Sequence, residues 1–364
     1  MTSEKLDYTL NIALDRPLDF IDKVQIYVVS LPGRQTRRTD MEKLRAALGL
    51  HWDYFDAIPS YNPLIGQISD WVELVRSASL SPLDSSDKSS SHPADNDNGD
   101  GDIADTPPFW PEHIDDIAHS VQEIALLSSS VWELPTSLPP YQSLTCNENN
   151  FDILDFKSSG DAPEHMRLTP ARIACWHSHI SVIHQHANTL PSASGKGSIA
   201  LILEDDVDME RDIVAQMESL WAELPEDWDM VFLGHCWSDE TRGGPVVQNP
   251  PSTGAARANT SFFGSRLYTS TSPKCTHAYA VSRTGARRLL LHMTHPPFAY
   301  SRAIDQAFAW LVESGRIKSF SVVPNLAMQR KVSVSDVMEG GTVNSQWKDT
   351  LADGVFSSLL EHPN

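Results

Sequence analysis

Two stretches of almost unbroken apolar sequence limit the folds open to this chain. VQIYVVSL (24–31) is rich in β-branched residues, and IALIL (199–203) contains no polar side chain. A strand with one face in water alternates apolar and polar residues, whereas unbroken apolar runs are typical of strands that helices cover on both faces. We therefore expect an α/β fold built around a buried, mainly parallel sheet.

Candidate helices alternate with candidate strands along much of the chain. Residues 169–188 begin with Thr and Pro, which are preferred at the cap and first position of a helix, and Ile173, Trp176, Ile180 and Ile183 form an apolar stripe. This alternation predicts a sheet with helices on both faces. Further helices are predicted over 39–49, about 212–224, 284–293 and 303–315, and further strands over 229–235, 277–282 and 319–324.

The chain is predicted to form one domain, residues 21–330, between an N-terminal tail at 1–20 and a C-terminal extension at 331–364. Residues 80–108 consist mostly of Ser, Asp, Asn, Gly and Pro. Such a segment has almost no apolar surface to bury, which predicts disorder. Because the strand–helix pattern resumes after it, we interpret it as an insertion within the domain. Residues 109–165 are predicted to be loops and short helices.

Composition excludes some classes of function. The formal net charge of −20 disfavours a nucleic-acid partner. The cysteines are far apart and form no CxxC pair, so reduced thiols are expected at Cys146, Cys175, Cys236 and Cys275. The N-terminus has no apolar core typical of a signal peptide, and no run approaches the roughly 18 apolar residues of a membrane span. We therefore expect a soluble, cytoplasmic chain.

Three adjacent acids, Glu204, Asp205 and Asp206, follow the second apolar run directly. Ligands bind open α/β sheets beyond the carboxyl ends of the strands, so this position predicts a ligand or metal site. If the backbone stays extended, Glu204 and Asp206 face one way and Asp205 the other. Carboxylate oxygens suit Mn²⁺ or Mg²⁺. The sequence therefore predicts a metal held by Glu204 and Asp206, with Asp205 free to contact a ribose.

Basic residues follow the first apolar run. Guanidinium groups at Arg34, Arg37 and Arg38 are suited to clamping a diphosphate or stacking on a base. Of these, Arg34 and Arg38 are predicted, together with Leu31, to bind such a phosphorylated ligand. The histidines between His177 and His186 lack the spacing of a zinc pair, because residues two apart cannot share a helical face.

Several blocks, in this order, resemble glycosyltransferase family 25, the group of lipopolysaccharide and collagen galactosyltransferase domains. They are VVSLPGRQTRR (28–38), FDAI (55–58), LTPARIACWHSH (168–179), LILEDDV (201–207), AYAVSRTGARRLL (278–290) and AIDQAF (303–308). The chain departs from the family pattern at some positions. Ser30 replaces the usual Asn, and Ala171, Arg172 and Ala174 stand where the family has Gly-Glu and Gly.

The resemblance implies a GT-A fold, in which a Rossmann-like nucleotide-binding half merges with an acceptor half. It also implies a UDP-sugar donor, often UDP-galactose, dependence on Mn²⁺, and inversion at the anomeric carbon. His179 is expected to shape the sugar pocket, as the family's Ser-His block implies. The acceptor, a glycan or a protein, cannot be named from the sequence.

An inverting transfer requires one base that takes the proton of the acceptor hydroxyl. Asp305 is the predicted base, because it opens a helix near the carboxyl edge of the sheet, and Asp239 and Glu240 are the reserve candidates. A helix-end acid stabilised by the helix dipole is the alternative interpretation of Asp305.

Two other functions remain open from the sequence. A non-catalytic protein would bind a sugar nucleotide without turning it over. A metal-dependent phosphoryl-transfer enzyme would also place acids after a strand, although the chain contains no GxxxxGK[ST] motif.

Overall fold

The structure is a computed structural model that describes residues 23–80, 113–126, 167–192, 195, 197–246, 264–296, 298–330 and 351–356. The predicted tail at 1–20 lies outside the described residues, and so does the predicted insertion from residue 81 onward. Most of the predicted loop region at 109–165 and most of the predicted C-terminal extension also lie outside them.

A seven-stranded sheet forms the centre of the described fold. In space the strands follow the order β2-β1-β3-β7-β5-β8-β6. Five strands run in one direction, and β6 and β7 run against them, so the sheet is mixed but mainly parallel, as predicted. A separate pair, β4 with β9, is antiparallel. The strands are β1 Val24–Ser30, β2 Asp53–Asp56, β3 Ile199–Glu204, β4 Val207–Met209, β5 Met230–Cys236, β6 Arg266–Thr269, β7 Lys274–Ser282, β8 Ser319–Val323 and β9 Ala327–Gln329.

Helices cover both faces of this sheet. Their bounds are α1 Gln35–Leu48, α2 Pro63–Leu80, α3 Ile114–His119, α4 Pro170–Asn188, α5 Ile213–Trp221, α6 Arg283–Met293 and α7 Ile304–Glu313. Helices α2, α4, α6 and α7 pack on one face against a core that includes Tyr27 and Ile202. Helices α1 and α5 pack on the other face against a core that includes Val28 and Leu203. Within the described ranges, no helix is both long enough and apolar enough to cross a membrane.

Local signals in the sequence account for where the main helices begin and end. The Thr169 side chain accepts a hydrogen bond from the Arg172 amide, 3.3 Å away, at the start of α4. The apolar stripe of that helix is buried, as predicted. Gly49 ends α1 with a φ of 65°, a left-handed conformation that glycine adopts at little cost.

A disulfide corrects the expectation that all thiols are reduced. Cys236 at the end of β5 is bonded to Cys275 near the start of β7, with their Cα atoms 5.8 Å apart. The antiparallel pairing of β5 with β7 places Cys236 opposite Lys274, next to its partner. Because 39 residues separate the two cysteines, sequence spacing alone did not reveal the pair. Cys175 is free, and Cys146 lies outside the described residues.

Residues 351–356 pack against β4 and the residue that follows it. The Val355 amide donates to the Met209 carbonyl over 3.1 Å, and the Phe356 amide donates to the Asp208 carboxylate. The Asp353 amide donates to Glu210 over 2.8 Å. Because β4 begins directly after the acid triplet, this part of the C-terminal segment supports the strand that leads away from the acids.

Candidate active site

A cavity of about 630 Å³ lies at the carboxyl ends of β1 and β3. Along the sheet, the chain continues from β1 to β2 in one direction and from β3 toward β5 in the other, so the connections diverge between β1 and β3. Open α/β sheets bind ligands at such a switch point. Six of the predicted site residues line this cavity, namely Leu31, Arg34, His179, Glu204, Asp205 and Asp206.

The acid triplet does not continue the strand. β3 ends at Glu204, and Asp205 and Asp206 form a turn. The alternation expected of extended backbone is therefore wrong here. One guanidinium nitrogen of Arg37, Nη1, donates to Asp205 Oδ1 over 2.9 Å and to Asp206 Oδ2 over 2.8 Å. Asp205 and Asp206 thus converge on one cation, while Glu204 has different partners.

Ser30 at the end of β1 orients one of these acids. Its hydroxyl donates to Asp205 Oδ2 over 2.8 Å, across the boundary between β1 and β3. Arg38 does not line the cavity. Its guanidinium donates to the Ser30 hydroxyl and to the Ser30 carbonyl, at 3.1 and 3.0 Å, pairs with Asp56, and lies over the Tyr54 ring. In this structure Arg38 therefore braces β1 against β2.

Glu204 belongs to a separate hydrogen-bond chain. The Thr276 hydroxyl donates to Glu204 Oε1 over 2.6 Å, and His179 Nε2 lies 3.6 Å from the same oxygen. The other ring nitrogen of His179, Nδ1, is 2.9 Å from the Tyr279 hydroxyl. Burial raises the pKa of Glu204, but His179 and Thr276 outweigh burial and lower that pKa to about 2. Glu204 is therefore a fixed anion next to His179.

The pKa of Asp206 is shifted in the opposite direction to that of Glu204. Burial, followed by the negative charge of Glu204, raises the pKa of Asp206 to about 7, although Arg37 acts against this rise. The side-chain amide of Gln329 lies 3.3 Å from Asp206 Oδ2, and the Arg330 amide donates to the Asp206 carbonyl over 2.6 Å. The cluster therefore holds more negative charge than Arg37 neutralises, and an added cation would relieve it.

The oxygen donors of the turn fit a hard divalent cation. Among the described residues, no group of three or more His, Cys, Asp or Glu side chains could by itself hold a metal ion. Mg²⁺-type sites commonly use one or two carboxylates, with water and substrate phosphates supplying the other ligands. Asp206 and Asp205 supply such a pair. The metal roles predicted for Glu204 and Asp206 stay predictions.

Asp305 lies in the first turn of α7, outside the lining of the cavity. Its carboxylate accepts the Gln306 amide over 2.9 Å, and the Cys275 amide approaches at 3.5 Å. Burial raises the pKa of Asp305, and the negative charge of Glu204 adds to that rise. Burial also raises the pKa of the Cys175 thiol, which lines the cavity, and the charges of Glu204 and Asp305 contribute after it. Asp305 therefore lies within electrostatic range of the cavity wall.

The two reserve bases differ in their surroundings. Glu240 is buried, and its carboxylate accepts hydrogen bonds from the Thr271 amide, the Thr271 and Ser321 hydroxyls and the Ser272 amide. These hydrogen bonds suit Glu240 to a structural role, in which it holds neighbouring loops together. Asp239 lies at the surface beside Thr241 and Arg242.

Sequence reasoning gave too little weight to three residues of the cavity. Arg37 binds two acids of the triplet. In the block 28–38 it is the second arginine of a Leu-x-x-Arg-x-x-Arg pattern that begins at Leu31, and that pattern was an available signal. Tyr61 lines the cavity with 88% of its surface exposed, and Gln329 reaches it from β9. Neither lies in a block that pointed to the site.

Comparison with known families agrees with the motifs. Residues 141–306 match the model of glycosyltransferase family 25 (LPS biosynthesis protein). The matched segment contains α4, the acid triplet and Asp305, whereas the arginine loop after β1 precedes it. A comparison with curated proteins finds no match. The resemblance seen in the sequence is thus confirmed over that segment, and the match supports a glycosyltransferase.

Proposed function

We propose, from the family 25 match, that this protein is a metal-dependent glycosyltransferase. It transfers a sugar from a UDP-sugar to a hydroxyl acceptor on a glycan or protein, with inversion at the anomeric carbon. Galactose is the proposed sugar, because the family resemblance favours UDP-galactose.

The observation that carries this proposal is the meeting of two charged segments at the switch point. Arg34 and Arg37 follow β1, the acid triplet follows β3, and both segments line the same cavity. A nucleotide diphosphate carries negative charge and ribose hydroxyls, so it is complementary to arginines and carboxylates at one edge of a sheet. Arg34 and Arg37 are proposed to bind the diphosphate, and Asp205 the ribose.

The proposed cation is Mn²⁺ or Mg²⁺, held by Asp206 with Glu204 or Asp205 as its second acid. When bound, such an ion neutralises the diphosphate as it leaves. His179 lies between Glu204 and Tyr279, and it lines the cavity. We assign it to the wall of the sugar pocket, where the fixed charge of Glu204 orients its ring.

The transfer needs one base from the protein. The acceptor oxygen forms a bond to the anomeric carbon while the bond from that carbon to the diphosphate breaks. The acceptor hydroxyl proton passes to the base, proposed to be Asp305. Burial raises the pKa of Asp305, and a raised pKa makes a carboxylate a stronger base near neutral pH.

A thermal-shift screen tests the proposed donor. The protein is melted with UDP, UDP-galactose, UDP-glucose, ATP and GTP, each with Mn²⁺ and with EDTA. A ligand at about 100 times its Kd stabilises the native state by about 2.7 kcal/mol, which corresponds to roughly 5–10 °C in a domain of this size. We expect that shift for UDP and a UDP-sugar with Mn²⁺, and a much smaller shift in EDTA.

The same screen separates the alternatives. Stabilisation by ATP or GTP above that by UDP would favour phosphoryl transfer. Stabilisation by a UDP-sugar that is then neither transferred nor slowly hydrolysed would favour a non-catalytic binder. A UDP shift indifferent to EDTA would contradict the role of the cation.

A further inference from the structure

Arg37 occupies the carboxylates that the proposed function assigns to cation and donor. Its Nη1 lies 2.9 Å from Asp205 Oδ1 and 2.8 Å from Asp206 Oδ2. The three side chains keep 17%, 7% and 6% of their surface exposed, so water screens these ion pairs poorly. We propose that Arg37 is an exchangeable counter-ion, which pairs with these acids until a divalent cation binds and then moves to the donor diphosphate.

A divalent cation and Arg37 would compete for the same carboxylate oxygens. Three of the four carboxylate oxygens of Asp205 and Asp206 already accept a hydrogen bond shorter than 3 Å, two from Arg37 and one from Ser30. The fourth, Asp206 Oδ1, has a described contact to Gln329 at 3.5 Å. A cation that uses both acids therefore competes with the guanidinium, since two positive charges held against the same oxygens repel each other.

A displaced Arg37 side chain would stay close to the cavity. Arg37 lies in the first turn of α1, and its partners are side chains at the cavity wall. A guanidinium released there remains beside the cavity proposed to hold the diphosphate. Arginine binds phosphate oxygens through several donors at once, so the diphosphate can replace the carboxylates as its partner. The negative charge of the donor diphosphate thus replaces the two carboxylates as the ionic partner of Arg37.

This inference, which rests on the proposed function, has a consequence that a simple donor-binding arginine would not have. Removing Arg37 should strengthen binding of the metal alone and weaken binding of the nucleotide. An adjacent opposite charge changes the proton affinity of a carboxylate by roughly 10- to 1000-fold, and the same field acts on a metal ion. We therefore expect Arg37→Ala to bind Mn²⁺ alone at least about tenfold more tightly than the wild type does.

The experiment measures Mn²⁺ and UDP binding separately and together at pH 8. Free Mn²⁺ is counted by electron paramagnetic resonance, and UDP binding at saturating Mn²⁺ is measured by calorimetry. At saturating Mn²⁺, Arg37→Ala should bind UDP about tenfold more weakly, because a charge-assisted contact to phosphate is lost. Arg37→Lys keeps a positive charge without the planar fork, so it should return Mn²⁺ affinity toward the wild-type value.

Arg45→Ala is the matched control. Arg45 lies in the last turn of the same helix and pairs with Glu42, so its loss changes net charge equally without touching the acids. Its Mn²⁺ and UDP affinities should equal those of the wild type. Melting curves establish that each variant is folded.

Two failures are distinguishable. If the wild type binds UDP with Mn²⁺, but Arg37→Ala binds Mn²⁺ no more tightly than the wild type, the exchange is overturned and the proposed function stands. If the wild type binds no UDP with or without Mn²⁺, the proposed function fails and the exchange fails with it.

Discussion

Two arginines, each placed between two aspartates, lie at opposite edges of the same sheet. We name them the carboxyl-edge cluster, which is Arg37 with Asp205 and Asp206, and the amino-edge cluster, which is Arg288 with Asp115 and Asp229. Both clusters line cavities, of about 630 and about 1020 Å³ respectively. The larger cavity lies at the wrong edge for an α/β ligand site, so size alone does not identify the active site.

The partners of each cluster show what it does. In the amino-edge cluster, Asp229 also accepts the Lys318 backbone amide over 2.9 Å, and Asp115 is an exposed residue of α3. Arg288 therefore joins α3 and α6 to the residue that precedes β5, and the Lys318 backbone amide fixes that residue in turn. In the carboxyl-edge cluster the side chains of Asp205 and Asp206 are buried and bind other side chains. Such partners can be exchanged, which is what a binding site requires.

The largest expected effect concerns an acid outside both clusters, Asp305. Asp305→Asn is nearly isosteric, and a general base contributes about 10²- to 10⁴-fold. Donor hydrolysis by water, measured with UDP-galactose and Mn²⁺, should fall by about that factor, while UDP affinity stays close to wild type. Unchanged hydrolysis would restrict the chemistry to the carboxyl-edge cluster, and lost UDP binding would place Asp305 in the donor site.

Breaking the amino-edge cluster should cost stability and spare binding. Arg288→Ala leaves buried Asp229 without its guanidinium, and removing one partner of a buried pair typically costs about 3–5 kcal/mol. Urea unfolding should show a loss near the lower figure, since Asp115 is exposed. The control Arg45→Ala should lose less than about 1 kcal/mol. A weaker UDP affinity in folded Arg288→Ala would show that the amino-edge cluster also affects binding, which contradicts the comparison.

Asp206→Asn tests the other half of the comparison. It removes a carboxylate proposed to hold the cation, so UDP affinity with Mn²⁺ should fall by at least about 100-fold, the weight of a charged contact. Calorimetry at saturating Mn²⁺ gives the affinity, and melting should show an intact fold. Full UDP affinity in this variant would remove Asp206 from the site.

Lowering the pH should reduce the free energy of unfolding through His292, at the amino edge of the sheet. Burial, followed by Arg316 and Arg288, lowers the pKa of His292 to about 3 from 6.5. A histidine with a depressed folded pKa contributes stability that is present above the unfolded pKa and is lost as pH falls below it. Between pH 6.5 and 5 His292 alone should account for a loss of about 1.5 kcal/mol of unfolding free energy. Other buried histidines, such as His186, also have a lowered pKa and add to the total loss. His292→Gln should therefore lose less than the wild type by about that amount, and an identical loss would assign the slope to the other groups.

The smallest effect is expected at Ser30. Ser30→Ala removes a hydroxyl that donates to buried Asp205, and one such bond to a charged group contributes about 1–2 kcal/mol. UDP affinity with Mn²⁺ should fall several-fold. Ser30→Asn restores a donor and matches the residue usual in the resembling family, so it should recover most of the affinity. A change confined to melting temperature would make Ser30 a support of β1 alone.

The sequence was most informative where local chemistry decides structure. Cap and stop residues located α4 and the end of α1, and unbroken apolar runs located β1 and β3. The antiparallel direction of β7 was not predictable, because periodicity carries no strand direction. The short strands β2, β4, β6 and β9 were not predicted for a related reason, since strands of three or four residues have too little periodicity to detect.

For the site, the positions of residues along the chain were predicted more accurately than the directions of their side chains. The acid triplet at the end of β3 shares a cavity with two of the arginines after β1, Arg34 and Arg37, as their places at strand ends predicted. The turn at Asp205 and Asp206 was not predicted, so the alternating directions expected for the three acids are wrong there. The ligands predicted for each acid stay predictions. Arg37 and Arg38 are adjacent, and only the three-dimensional path of α1 shows that Arg37 reaches the acids while Arg38 braces β1.

The packing of residues 351–356 bears on how the protein can be shortened. A truncated form that stops at residue 330, where the sequence pattern of the domain ends, would remove the backbone amides of residues 352–356 that donate to Asp208 and Glu210. Asp208 would keep the Met209 amide, but both acids would lie beside an acid-rich turn with fewer hydrogen-bond donors. A shortened protein that keeps residues through 356 retains these donors, so crystallisation and affinity tags are better placed after that point.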